Sequence, residues 1–175
     1  AITSGTVILE GLDITGGKAE STLGSASVGG GGIYIVGGAV TINNCTIHSN
    51  TAPYANGFGM QHGAGIRISG GTAVTFNNCD IHSNTVSGYW FDPGSGGGVF
   101  SEGCYDVAFN GCCIHGNSAY YGAGAYVYNG AVSFTNCQIY DNDAKSDSHG
   151  PNMYVEGGSA CTFGMTLTLA TGTIS

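Results

Sequence analysis

The stretch Val40-Thr-Ile-Asn-Asn-Cys-Thr-Ile47 alternates apolar and polar residues and closes on an isoleucine. The pattern returns as Val74-Thr-Phe-Asn-Asn-Cys-Asp-Ile81, Val107-Ala-Phe-Asn-Gly-Cys-Cys-Ile114 and Val132-Ser-Phe-Thr-Asn-Cys-Gln-Ile139, and Val7-Ile-Leu-Glu-Gly-Leu-Asp-Ile14 precedes them. A sixth copy, Cys161-Thr-Phe-Gly-Met-Thr-Leu167, fits with one residue deleted. Successive copies start 33, 34, 33, 25 and 29 residues apart, and periods of this size belong to solenoids. An alternation of period two makes each copy strand, not helix.

Ahead of most copies lies a second, glycine-led strand: Gly30-Gly-Gly-Ile-Tyr-Ile-Val36, Gly63-Ala-Gly-Ile-Arg-Ile-Ser69, Gly96-Gly-Gly-Val-Phe-Ser-Glu102, Gly122-Ala-Gly-Ala-Tyr-Val-Tyr128 and Gly150-Pro-Asn-Met-Tyr-Val-Glu156. One coil then reads as strand one (33–35), a glycine corner, strand two (40–42), an Asn corner, strand three (45–47) and a variable corner. The expected fold is all-β: a single-stranded, right-handed parallel β-helix of about six coils with three short strands each. The hand follows the preference of parallel crossovers. Residues 1–175 form one such domain, either whole or a segment or subunit of a longer assembly.

Coils about 4.8 Å apart put like on like. The inward columns are Val40/Val74/Val107/Val132, Ile42/Phe76/Phe109/Phe134/Phe163, Cys45/Cys79/Cys112/Cys137 and Ile47/Ile81/Ile114/Ile139. Asn50, Asn84, Asn117 and Asn142 share a corner, where stacked amides satisfy the bending backbone and each other.

The glycine-led tetrapeptides at Gly30–Ile33, Gly63–Ile66, Gly96–Val99 and Gly122–Ala125, with Ile47–Asn50, Ile81–Asn84, Ile114–Asn117 and Ile139–Asn142, resemble the paired repeats of chlamydial polymorphic outer membrane proteins. Ala52, Val86, Ala119 and Ala144 follow the second motif. The likeness spans nearly the whole chain and implies a β-helical passenger displayed on a cell surface. The chain departs from that family in carrying Ile for Phe and in having no C-terminal membrane barrel.

Eleven acidic residues against three basic ones give a net charge of −8. That excludes nucleic acid, which needs clustered Lys and Arg, and anionic membrane surfaces. No stretch is apolar for long enough to span a bilayer, so no membrane insertion is expected. The chain opens on Ala and shows no signal peptide, which fits a processed chain or an excised fragment.

Cys45, Cys79, Cys112 and Cys137 read as small apolar core residues, because parallel stacked Cβ atoms sit too far apart for unstrained disulfides. Cys104 and Cys113 are expected to face out or lie at corners, and Cys161 to face in. With seven cysteines, at least one thiol has no partner within the chain. His48, His82 and His115 occupy one outward position in three consecutive coils, with Thr15 and Tyr140 as their equivalents. Three imidazoles at that spacing could share a metal ion; with no carboxylate at a fixed position beside all three, a solvent-facing ladder is favoured, and no cofactor is expected.

Acid–base catalysis needs convergent carboxylates. Glu102 and Glu156 align on strand one but are separated by the coil that carries Tyr128, and only Lys18, Arg67 and Lys145 supply positive charge. The glycine runs precede strands, so they carry no nucleotide-binding meaning. No enzymatic activity is expected.

The outward position of strand one instead reads Tyr34, Arg67, Phe100, Tyr126 and Tyr154, with Tyr128 two residues beyond Tyr126. The variable corner adds Tyr54, Phe58, Met60, Tyr89, Trp90, Phe91, Tyr120 and Tyr121. An exposed aromatic stripe marks an interaction surface. The function expected is an extracellular, non-enzymatic structural or adhesive module contacting other surface proteins through this face. A carbohydrate-binding or carbohydrate-cleaving β-helix is the alternative. An ice-binding helix ranks third, since outward Thr41 and Thr75 give way to Ala108 and Ser133. Asn44-Cys45-Thr46 offers a corner glycosylation site at Asn44. Both ends read as uncapped strand, so head-to-tail self-stacking into a filament is also expected.

Overall fold

The computed structural model describes residues 1–19, 28–53, 61–70, 73–88, 93–145, 150–164 and 168–169. Parallel strands stack into long ladders. Strand two forms a six-stranded sheet from Thr6–Glu10, Ala39–Asn43, Ala73–Asn77, Val107–Asn110, Ala131–Thr135 and Ala160–Phe163. Its register sets Val7, Val40, Val74, Val107, Val132 and Cys161 in one column, so the repeat alignment is also the spatial alignment. Strand three forms a second six-stranded sheet, and strand one a five-stranded sheet from Ile33–Ile35 to Met153–Glu156. Six coils are therefore present in strands two and three and five in strand one, where the first coil contributes only the bridge Ile2–Ile35.

Two further ladders complete the coil. Thr51–Ala52, Thr85–Val86, Ser118–Ala119 and Asp143–Ala144 form a fourth, two-residue strand, which gives the small apolar residues after each Asn their place. Val28–Gly29 pairs with Gln61–His62, and single bridges carry that line on to Ser95 and Tyr121. Two residues per coil are too short to show alternation, so neither ladder stands out from sequence pattern.

The inward columns close as expected as far as Phe134, whereas Phe163, expected inward at the end of its column, is exposed because no described coil covers it. Ile35, Ile42, Ile47, Ile66, Phe76, Ile81, Phe109 and Ile114 are fully buried. Phe76 and Phe109 stack at 4.6 Å, and Phe109 and Phe134 at 5.1 Å. In the last coil Leu169, not Leu167, stands opposite Ile139. The sixth copy thus contains an insertion between Phe163 and Leu169 where a deletion was expected; residues 165–167 lie outside the described ones.

Each core cysteine does the same local work. The Cys45 thiol donates to the Asn43 carbonyl at 3.2 Å, Cys79 to Asn77 at 3.4 Å, Cys112 to Asn110 at 3.5 Å and Cys137 to Thr135 at 3.4 Å. A thiol is small enough for the turn and satisfies a carbonyl that the corner would otherwise leave unpaired. Cys104, expected to face out or lie at a corner, lies at a corner and is buried there against the core. It repeats the device there, donating to Glu102 O at 3.2 Å and accepting from the Gly70 amide at 3.2 Å. Cys113 faces outward from strand three and is half-buried, and all seven thiols are free. Contacts with Cys137 and Cys79, together with burial, push the Cys112 thiol well above its ordinary range.

The Asn corner explains why the two halves of the repeat need each other. Asn50 Nδ2 donates to Asn84 Oδ1 at 3.0 Å, Asn84 to Asn117 at 3.0 Å and Asn117 to Asn142 at 2.9 Å. The same nitrogens donate to the carbonyls of Ile14, Ile47 and Ile81. Each Oδ1 of Asn84, Asn117 and Asn142 also accepts a backbone amide from the preceding coil. A Cβ at Gly32, Gly65, Gly98 or Gly124 would sit 2.8–2.9 Å from the amide nitrogen of Asn50, Asn84, Asn117 or Asn142. The missing side chain at the third residue of these four glycine-led motifs is therefore the space the Asn ladder occupies. In the final coil Asn152 takes that position and its Oδ1 accepts from Asn142 at 3.1 Å, ending the ladder.

Candidate functional site: the strand-one face

Three outward faces carry the residues singled out above. On strand three, His48, His82 and His115 stack in parallel with centroids 5.0 and 5.1 Å apart, and Tyr140 continues the column at 4.9 Å. His48 Nε2 lies 2.8 Å from Asp13, and His115 Nε2 lies 3.0 Å from Asp80. The ladder geometry is as expected, with carboxylates beside two of the three rings. Among the described residues no group of three or more His, Cys, Asp or Glu is placed to hold a metal ion. Asn44 is an exposed corner residue in the left-handed region, φ 52°, with its side chain outward.

The strand-one face departs from its expected exposure. The register Tyr34–Arg67–Phe100–Tyr126–Tyr154 is as read. However, Arg67 is 5 %, Phe100 3 % and Tyr126 8 % exposed, while Tyr34, Tyr128 and Tyr154 are half-buried. The stripe is largely covered. The fifth ladder covers it: the His62 ring lies flat on Phe100 at 4.2 Å, and Gln61, His62 and Ser95 are themselves buried. Gly29 makes this close approach possible, since a Cβ there would fall 2.9 Å from Arg67 Cδ and far inside contact of the His62 carbonyl. Tyr89 and Trp90 of the expected face, with Tyr54, Phe58, Met60 and Phe91, lie outside the described residues. So do 165–167 and 170–175, on which part of the end-to-end stacking expectation rests.

Within the covered column, Arg67 is the unusual member. Its guanidinium lies between the rings of Tyr34 and Phe100, 5.3 and 5.8 Å from their centroids. This gives the charge the attraction of two ring faces. Its Nη2 stands 3.6 Å from Glu102, and its Nε and Nη1 have no hydrogen-bond partner among the described residues. Burial, then the neighbouring Arg67 charge, lowers His62 to about 3, so its imidazole is neutral at physiological pH.

Where the cover ends, a groove of about 340 Å³ opens. Among the described residues its walls are Phe100, Tyr121, Tyr126, Tyr128 and Pro93, together with His62, Ser95, Glu102 and Glu156. Strand register places Glu102, Tyr128 and Glu156 one above another. Tyr126 donates a short hydrogen bond to Glu156; burial, then that bond, pushes the Tyr126 phenol above its ordinary range. The aromatic positions were legible from the repeat. So was the alignment of Glu102 and Glu156 on either side of Tyr128; His62 and Ser95 were not, because they come from the unpatterned corner.

Comparison with known proteins agrees with this architecture. A family model described as right handed beta helix region matches residues 1–168. No curated protein and no solved structure matches the chain. With the match running over nearly every coil, the chain belongs to the right-handed β-helix family.

Proposed function

We propose that this β-helix is a non-enzymatic extracellular module, structural or adhesive, that meets its partner through the groove on the strand-one face. The observation that carries the reading is the groove itself: a concave, ring-walled surface of about 340 Å³ on an otherwise regular solenoid. Concavity with apolar walls and a few convergent polar groups is the usual form of a binding site. The repeat resemblance to surface-displayed passengers supports the cell-surface setting. Glu156 accepts from Tyr126, and the Glu102 carboxylate faces the Arg67 guanidinium at 3.6 Å, which suits recognition better than proton transfer.

The test uses combined glycan and peptide arrays probed with the wild-type chain and with Tyr128→Ala/Glu156→Gln. Release of reducing sugar is followed in parallel. Array signal that the variant loses, with no sugar released, is the expected result. Signal equal for both proteins overturns the groove as the contact surface, and sugar release overturns the non-enzymatic reading.

A further inference from the structure

The coil makes three recurring uses of asparagine, and two of them engage the side chain. Asn50, Asn84, Asn117 and Asn142 each donate at least twice inside the buried ladder. On the outside of strand two, Asn77 Nδ2 donates to Asn43 Oδ1 at 2.9 Å and Asn110 Nδ2 to Asn77 Oδ1 at 3.0 Å. The third use is the corner between strands two and three. Asn44, Asn78 and Asn136 stand there at φ 52°, 53° and 53°, and Gly11 and Gly111 hold the equivalent place at 63° and 62°. Asparagine suits the corner because it tolerates the left-handed region. Only its backbone is needed: the Asn44 amide donates to Asn77 O at 2.9 Å, and the Asn44 side chain makes no hydrogen bond among the described residues.

One of these corners also carries an acceptor triplet. Two residues beyond them stand Asp13, Thr46, Asp80, Cys113 and Gln138, one outward column of strand three. Asn44-Cys45-Thr46 is thus the single Asn-x-Ser/Thr triplet of the sequence, and it falls on the class of asparagine whose side chain the fold leaves unused. Asn44 is exposed and Thr46 half-buried. The preceding coil places Gly11 beside Asn44, and an added Cβ at Gly11 would meet nothing within 4 Å, so the corner is open on that side.

We infer that Asn44 carries an N-linked oligosaccharide. In the transfer, Nδ2 attacks C1 of a sugar held on a polyprenyl pyrophosphate. The N–C1 bond forms, the C1–O bond breaks, the pyrophosphate leaves with the electron pair, and Nδ2 gives up one proton. No native hydrogen bond is lost, since the side chain makes none. The glycan then stands at the head of the strand that carries His48, at the corner away from strand one. The inference rests on the extracellular setting proposed above and not on the groove.

The experiment secretes the full chain from a eukaryotic host behind that host's own signal sequence. Intact mass is taken before and after peptide-N-glycosidase treatment. One glycan is expected on the wild type, removed by the enzyme with conversion of a single asparagine to aspartate, which peptide mapping locates at Asn44. Thr46→Ala should lower the modification by about tenfold or more, because the triplet needs its hydroxyl; Thr46→Ser should keep it. Glycosylated and treated chains should melt within about 2 °C of each other, no more than one lost hydrogen bond costs in a chain of this size. An untouched wild-type mass overturns the inference, as does equal modification of Thr46→Ala. It falls also if Asn44→Gln is secreted folded while glycosylated wild type is retained, since the side chain would then serve the fold. A glycan found together with array signal that ignores the groove variants overturns the contact surface and leaves Asn44 standing. Array signal lost in the groove variants, with no glycan on the wild type, overturns Asn44 alone.

Discussion

The inside of the coil and the covered column on strand one are built by opposite rules. Inside, each position repeats its own chemistry from coil to coil: Val on Val, Phe on Phe, Cys on Cys, Asn on Asn. On the covered column the residue changes through Tyr34, Arg67, Phe100 and Tyr126, and only Tyr126 and Tyr154 repeat. Both are buried at their centre. Repetition serves the interior because identical side chains at one spacing pack and hydrogen-bond identically. The column is closed by a different segment of chain in each coil, so its members vary with the cover. Burial alone does not make a core; register of like with like does.

The sharpest break should come from the interior. Cys79 is 2 % exposed and donates to two carbonyls, Ile42 and Asn77, at 3.4 Å each. Cys79→Asp places a carboxylate in the apolar interior and should abolish folding, since a buried charge without a counter-ion is far costlier than a thiol. Cys79→Ala should keep the fold at a loss of about 1–3 kcal/mol. Urea unfolding followed by circular dichroism separates the two; equal midpoints would mean that the column is not interior.

The cover should respond to pH. His62 is held near 3 in the fold, against 6.5 when unfolded. The unfolded chain therefore takes up a proton that the native chain refuses. The contribution of His62 is complete above pH 6.5 and is lost as pH falls from there toward 3. The slope is about 1.4 kcal/mol per pH unit. Denaturation of wild type and His62→Gln at pH 7 and pH 5 measures it as a difference. Parallel losses in the two proteins would place the titration elsewhere.

The smallest effect should belong to Arg67, and its sign is informative. A buried guanidinium with two unpartnered nitrogens is desolvated without full compensation. Arg67→Met should leave stability unchanged or raise it by about 1 kcal/mol. A loss as large as that of a core truncation would make Arg67 a structural member of the fold after all, and would erase the contrast drawn here.

Legibility in the sequence follows the same division. The coil count, the Val, Phe, Cys and Ile columns and the Asn ladder could all be read because each is written four to six times at a fixed place in the repeat. The burial of Cys104 at its corner was not legible because that corner occurs once as cysteine. The fourth strand escaped because two residues carry no period. The groove was half legible. Its rings lie on a patterned strand, but exposure was inferred from parity alone, and parity says which way a side chain points without saying what lies over it. His62 and Ser95 come from the variable corner, where nothing repeats.

The Asn ladder has one more consequence. Its bonds span 34 residues, then 33, then 25, and the distances stay at 3.0, 3.0 and 2.9 Å. The contact is indifferent to how much chain is spent between its partners. Each coil therefore carries a phase mark, and corners can lengthen, shrink or be exchanged between marks without shifting any residue out of phase. Insertions that would scramble an ordinary sheet become, in this chain, a change of paragraph length with the line spacing preserved. The scaffold can thus diversify its strand-one cover, and with it whatever the groove selects, while the interior is copied unchanged.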